Sequence, residues 1–166
     1  LDKFSSAFSG VDKLFITEVY AAGEAPIVGA DSNAIVESIR KSTDTEVELI
    51  QCFESAHHVI GAYIKPGDQV LILGAGNVHE IGSLLARDLE VIDKLRRELD
   101  DPMTECRLYE PMRRHTTLKV GGPAQYWVEP ITVESFSKSL GFFDRLNIPV
   151  RVIGRGSNLL ICDGGI

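Results

Sequence analysis

What most constrains this chain is a change of hydrophobic period, from two to about 3.6, that repeats three times between residues 13 and 99. Residues 13–20 (KLFITEVY) are β-rich, and Ile35, Val36 and Ile39 then share one face of a helix capped by Asp31 or Ser32. Residues 46–50 read as a short strand. Phe53, Ala56, Ile60 and Tyr63 repeat at helical spacing as far as the break at Lys65-Pro-Gly-Asp68. Residues 69–73 form an apolar run of strand type, and Gly74-Ala-Gly-Asn77 leads from it into a long helix ending near Leu99. Strands separated by helices predict a parallel sheet with helices on its faces. The series opens on a helix, with Leu1, Phe4 and Phe8 at helical spacing and Gly10 ending it. Doubly wound domains open on a strand, so the expectation is a sheet lacking its first strand.

Charge divides the chain at one place. Residues 1–100 carry 9 Lys+Arg against 17 Asp+Glu, a net −8, and residues 101–166 carry 8 against 7, a net +1, within a total of −7. The break falls at Asp100-Asp-Pro-Met-Thr-Glu-Cys106, a polar stretch with the composition of a linker. An acidic first part and a near-neutral second part without a basic stripe argue against nucleic-acid binding. Nor is there a run of eighteen apolar residues to form a membrane span. Cys52, Cys106 and Cys162 lie far apart with no C-x-x-C pair, and read as reduced thiols of a cytoplasmic protein.

After the break the pattern is strand, turn, strand, helix, strand. Residues 116–120 and 125–129 flank Gly121-Gly-Pro-Ala124 as a hairpin. Thr132 caps a helix with Phe136, Leu140 and Phe143 on one face, and residues 150–153 form a last apolar strand. That strand runs into Gly154-Arg-Gly-Ser-Asn158. Two glycines one residue apart let the backbone turn and approach a ligand closely. Successive main-chain N–H groups in such a turn make a concave nest for an anion, typically a phosphate. Arg155 adds positive charge, and Ser157 and Asn158 add side-chain donors. The bland reading of a bare G-x-G is an ordinary β-turn.

The longer string goes further. Arg114-His-Thr-Thr-Leu-Lys-Val-Gly-Gly-Pro-Ala124, then Ile148-Pro-Val-Arg-Val-Ile-Gly-Arg-Gly-Ser-Asn-Leu-Leu160, then Asp163-Gly-Gly-Ile166 resembles the opening of UDP-N-acetylenolpyruvoylglucosamine reductase (UDP-N-acetylmuramate dehydrogenase), a flavoenzyme of peptidoglycan precursor synthesis. The resemblance implies the first α+β lobe of a vanillyl-alcohol-oxidase-type FAD-binding domain over residues 109–166. FAD contacts would come from Ile153, Gly154, Arg155, Gly156, Ser157 and Asn158. It also implies NADPH as the reductant and hydride transfer from the flavin to an enolpyruvyl double bond. The family's catalytic acid and enol-stabilising residues match nothing here, so no catalytic residue is assigned. Thr116 and Thr117 are left as exposed strand threonines, and Trp127 as a core residue.

A second resemblance covers residues 1–99. Glu18-Val-Tyr-Ala-Ala-Gly-Glu-Ala-Pro-Ile-Val-Gly-Ala-Asp-Ser32, with Ser38-Ile-Arg40 and Gly67-Asp68 ahead of Gly74-Ala-Gly-Asn77, is similar to the C-terminal domain of UDP-N-acetylmuramate–L-alanine ligase. The implied fold is α/β, an incomplete Rossmann-like parallel sheet of Mur ligase C-terminal type. In that family this domain closes over ATP and the amino acid, while another domain carries the P-loop and Mg; no G-x-x-x-x-G-K-[ST] occurs here. The resemblance places Tyr20 and Arg40 at the substrate. Read plainly, they are a strand-end tyrosine and a solvated helix arginine.

Together the two resemblances suggest the junction of a fused ligase and reductase, with residues 100–108 as linker and a domain cut at either side. The cut would leave the 166-residue chain itself inactive, inside an enzyme of cell-wall biogenesis, cell shape and cell division. UDP-sugars and L-alanine would be its substrates. The alternatives are a non-catalytic flavin- or nucleotide-binding module, or an unrelated flavin oxidase with the same loop. Other candidates are weaker. Gly74-Ala-Gly-Asn77 lacks the third glycine of a dinucleotide fingerprint and reads as a tight turn. His57 and His58 point about 100° apart on a helix and cannot chelate one metal. His79-Glu80 has no second histidine, so no metal site is assigned.

Overall fold

A computed structural model describes residues 2–19, 29 and 31–166. These form two compact units, Leu1–Ile60 with Gly67–Gly82, and Gly61–Pro66 with Ser83–Ile166. Among the described residues no helix is long and apolar enough to cross a membrane.

The first unit is a small α/β layer. Helix α1 (Asp2–Ser5) continues into a 3-10 turn over Ser6–Phe8, where the rings of Phe4 and Phe8 meet edge to face at 5.1 Å. Strand β1 (Lys13–Ile16) pairs in parallel with β2 (Glu46–Leu49), in the register Lys13↔Glu46 to Ile16↔Leu49. Helix α2 (Ser32–Ser42) is the crossover between them. Asp31 is its N-cap, with the carboxylate accepting from the Ala34 N–H at 2.8 Å, an interaction that typically stabilises a helix by about 1 kcal/mol. Of the expected apolar face, Val36 and Ile39 are buried against Val47, with Ile35, Phe8, Leu14, Ile16 and Leu49 packed around them.

Two expected strands are absent or shortened here. Extended pairing ends at Ile16, and residues 17–19 bond to a helix start instead: Ser32 Oγ accepts from the Val19 N–H and donates to the Thr17 carbonyl. Residues 69–73 carry no strand. A strand is stable through its ladder, and this run finds no partner among the described residues, leaving Leu71 80% and Leu73 74% exposed. Among the described residues the parallel sheet therefore has two strands.

Helix α3 (Ala56–Tyr63) follows a 3-10 turn over Phe53–Ser55, and α4 (Val78–Leu99) is the longest element. Along α4 the residues Ile81, Leu85, Asp88, Ile92, Leu95 and Leu99 recur at intervals of four and three, and all are buried. The second unit also contains an antiparallel hairpin of β3 (Glu105–Pro111) and β4 (Pro123–Glu129). Its register passes from Leu108↔Tyr126 to Glu110↔Ala124, and between them Tyr109 sits at φ +51°. Helix α5 (Val133–Arg145) starts at Thr132 in a reciprocal capping box with Ser135.

Three corrections concern this unit. The partner of β4 is residues 105–111, whose first four were expected to belong to a linker; residues 116–120 are not a strand. Lys119 takes φ +54°, which breaks extension, and the Thr117 N–H is drawn to the Gly156 carbonyl at 3.2 Å. Residues 150–153 likewise form no strand, and Val152 is 67% exposed. On α5 the buried side is Ser135, Ser139, Phe142 and Phe143, rotated from the expected Phe136–Leu140–Phe143 stripe. Burial of Ser139 is feasible because its hydroxyl is satisfied by the Ser135 carbonyl at 2.7 Å.

Candidate functional site

The three segments singled out in the second part of the sequence meet in one place. The terminal stretch is stitched along residues 122–125 by main-chain hydrogen bonds. Gly122 N–H donates to the Cys162 carbonyl at 3.0 Å, Ile166 N–H to Pro123 at 2.9 Å, and Gln125 N–H to Ile166 at 2.8 Å. Gln125 is the residue opposite Tyr109, where the ladder is interrupted, so its N–H is available for that contact. Met112, Ala124 and Ile161 form a buried cluster beneath, with Trp127, Ile153 and Leu159 packed on it.

Above this cluster lies an open groove of about 1040 Å³. Its walls come from residues 114–117, β4 from Ala124 to Glu129, the expected stripe of α5 (Phe136, Leu140, Phe143) and residues 148–155. Arg114, Arg151 and Arg155 all line it. Arg114 lies 3.5 Å from the buried Glu110 carboxylate, whereas among the described residues Arg151 and Arg155 have no carboxylate partner. Glu110 also takes a hydrogen bond from His115 Nε2 at 2.9 Å and lies 3.6 Å from Arg107. The His115 ring in turn stacks on Trp127 at 4.1 Å between centroids. Trp127 thus serves both the cluster and the groove wall, where the sequence suggested core alone.

The glycine loop divides within itself. Gly156 is buried at φ +63°, and a Cβ there would collide with the His115 carbonyl oxygen, so it is glycine for the sake of the loop's own seat. Gly154 lines the groove with open space where a Cβ would be. Ile153 and Arg155 line the groove as well, while Ser157 and Asn158 are exposed and outside its lining. An open backbone position beside unpaired arginines fits a phosphate-bearing ligand. In the first unit, Arg40 donates from Nη2 to the Val47 carbonyl at 3.0 Å, a contact that ties α2 to β2. Tyr20 lies outside the described residues. Among the described residues no group of three His, Cys, Asp or Glu side chains is placed to hold a metal.

One network was not anticipated. Asp88 is fully buried and accepts from the Tyr109 hydroxyl, from Gln125 Nε2 at 3.0 Å, from the Tyr126 hydroxyl at 2.9 Å and from Arg87 Nε at 3.1 Å. Burial alone would push the carboxyl up, but the four donors outweigh it and hold it below the usual carboxylate range. Burial and the neighbouring Asp88 push both tyrosines well above their ordinary value. The signal was present in the sequence: Asp88 is the one charged residue on the 81–85–88–92–95–99 stripe.

Comparison with known proteins adds the final observation. Over 92 residues, 55% of its length, the chain is 38% identical to UDP-N-acetylmuramate–L-alanine ligase of Bartonella quintana (strain Toulouse), of which it covers 19%. It is 39% identical over 79 residues, 48% of its length, to the ligase of the same name from Oleidesulfovibrio alaskensis, covering 17% of it. Over 76 residues, 45% of its length, it is 45% identical to UDP-N-acetylenolpyruvoylglucosamine reductase of Anoxybacillus flavithermus, covering 25%. The chain is similar to two enzyme families at once. It spans about a fifth of the length of the ligases and a quarter of that of the reductase. No family model matches it.

Proposed function

We propose that this chain is the seam of a bifunctional enzyme of peptidoglycan precursor synthesis. In the ligase-like part, residues 1–99, the reaction served is the ATP- and Mg-dependent addition of L-alanine to UDP-N-acetylmuramate. Tyr20 and Arg40 are its candidate substrate contacts, on a Rossmann-like domain of the Mur ligase C-terminal type. Residues 100–108 connect the parts, with 105–108 already committed to β3. In the reductase-like part, residues 109–166, the reaction is reduction of UDP-N-acetylenolpyruvoylglucosamine to UDP-N-acetylmuramate with NADPH, on the first lobe of a vanillyl-alcohol-oxidase-type domain. The product of the second reaction is the substrate of the first, which gives one chain a chemical reason to carry both. The enzyme is cytoplasmic, where its nucleotide substrates are made.

The observation that carries this reading is similarity to both enzymes within 166 residues. The groove supports the flavin half: Gly154 leaves open space beside the backbone, Arg151 and Arg155 supply charge for a pyrophosphate, and Ile153 and Trp127 supply apolar wall. When bound there, FAD would supply the hydride chemistry; Ile153, Gly154 and Arg155 would bind and orient it, Gly156 would hold the loop in place, and none is assigned a proton. Ser157 and Asn158, exposed outside the groove lining, belong to the site if a longer ligand reaches past the loop.

The test is the natural gene product isolated from its source cell. A mass several times 18.2 kDa with both alanine-adding and NADPH-oxidising activity is expected, together with no turnover by the purified 166-residue chain. A natural mass near 18.2 kDa, with flavin binding and no turnover, would replace this reading with a non-catalytic flavin- or nucleotide-binding module.

A further inference from the structure

We infer that Asp88 is a positioning residue that sets the hydrogen-bond polarity of one wall of the groove, so that this wall accepts donors from a ligand and offers none. The inference rests on the flavin reading only for the choice of ligand used to test it.

The geometry is direct. Asp88 lies on α4 with no exposed surface, behind β4, and two of the groups bonded to it, Gln125 and Tyr126, line the groove. An ionised carboxylate can only accept. Therefore the end of the Gln125 amide facing Asp88 must be its NH₂, at 3.0 Å from Oδ2, and the Tyr126 hydroxyl must spend its proton on Oδ1 at 2.9 Å. The second amide hydrogen of Gln125 has the Tyr126 oxygen within 3.5 Å. What these residues retain for any other partner is lone pairs, on the Gln125 carbonyl oxygen and the Tyr126 oxygen. Without a buried acceptor, both the amide and the hydroxyl are free to turn and present either polarity. Tyr109 completes the anchor: its hydroxyl also donates to Asp88, and its backbone is held at φ +51°, a conformation unfavourable for an aromatic residue without such restraint. The ligand class selected at this wall carries N–H or O–H donors, such as polyol hydroxyls or an imide.

Asp88 falls within the stretch resembling the ligase, whereas Gln125 and Tyr126 fall within the stretch resembling the reductase. Ligand choice in the groove therefore depends on a residue from across the seam.

The experiment uses the full 166-residue chain and FAD as the probe, with Asp88→Asn and Tyr126→Phe alone and combined. Far-UV circular dichroism identifies any variant that fails to fold. Loss of one oriented hydrogen bond predicts binding about tenfold weaker in Asp88→Asn, with the double variant no weaker than the worse single one. A second readout needs no flavin. In ¹⁵N spectra the Gln125 side-chain amide should exchange slowly in the wild type and in Tyr126→Phe, and rapidly in Asp88→Asn. Unchanged FAD affinity in folded Asp88→Asn overturns the inference. Should the wild type bind no FAD, the flavin reading fails, and the amide exchange alone decides: fast exchange in Asp88→Asn alone upholds the positioning role, and equal exchange refutes it. If Asp88→Asn does not fold, Tyr126→Phe with FAD affinity and Gln125 exchange both unchanged refutes it, and weaker binding with retained protection upholds it.

Discussion

Gly154 and Gly156 are two residues apart in one loop, and the structure gives them opposite consequences on substitution. Gly156→Ala puts a Cβ onto a residue at φ +63°, which for a non-glycine residue costs roughly 1–2 kcal/mol. The same Cβ runs into the carbonyl oxygen of His115, a main-chain atom that cannot swing away as a side chain does. Relieving that contact shifts the 114–117 segment, and overpacking of this kind adds roughly 1–3 kcal/mol. The combined loss is about 2–5 kcal/mol, enough to weaken the Thr117–Gly156 hydrogen bond and the loop's seat under the groove. Gly154→Ala meets nothing within 4 Å and has no positive φ, so stability should change by no more than about 0.5 kcal/mol. Its new methyl projects into the space a phosphate would need, and flavin binding should fall instead. Urea unfolding followed by the fluorescence of Trp127, the only tryptophan, reports on the unit containing both sites. Equal stability losses in the two variants, or a Gly156→Ala change under about 0.5 kcal/mol, would refute the assignment of Gly156 to folding and Gly154 to the groove.

Three further outcomes are expected. In Gly61→Ala the new Cβ meets the Tyr109 ring, only 1% exposed, and comes within 3.1 Å of Leu85, so urea unfolding should show a loss of about 1–3 kcal/mol. Thr132→Ala removes the hydroxyl that accepts from the Ser135 N–H at 3.0 Å, and the thermal midpoint should report a loss of about 1 kcal/mol from α5. Asp88 has a folded-state pKa below its unfolded one, so its stabilisation is full above the unfolded value of about 3.9 and is lost as pH falls through the lowered folded value. Urea midpoints taken from pH 7 down through that window should fall more steeply in the wild type than in Asp88→Asn; parallel curves would count against an ionised Asp88 in the fold.

The sequence alone determined those features that depend on neighbours along the chain. Helical spacing and caps located α2, α4 and α5, with Asp31 and Thr132 at their starts, because capping and periodicity are settled within a turn or two. The turn at Gly154–Gly156 was legible for the same reason, as was the resemblance to two enzymes. Strands were another matter. Residues 69–73 and 150–153 have strand composition and form none, while residues 105–108, polar enough to pass for a linker, pair with β4. A strand exists only where a partner offers a ladder, and tertiary structure alone decides which partner is present. The division of the glycine loop was decided the same way, since Gly156 is pressed against His115 and Gly154 is open only because of what lies across from each. Asp88 falls between the two cases. Its place on an apolar stripe was written in the sequence, but the four donors that let a buried carboxylate remain charged were assembled by the fold, from residues up to 38 positions away.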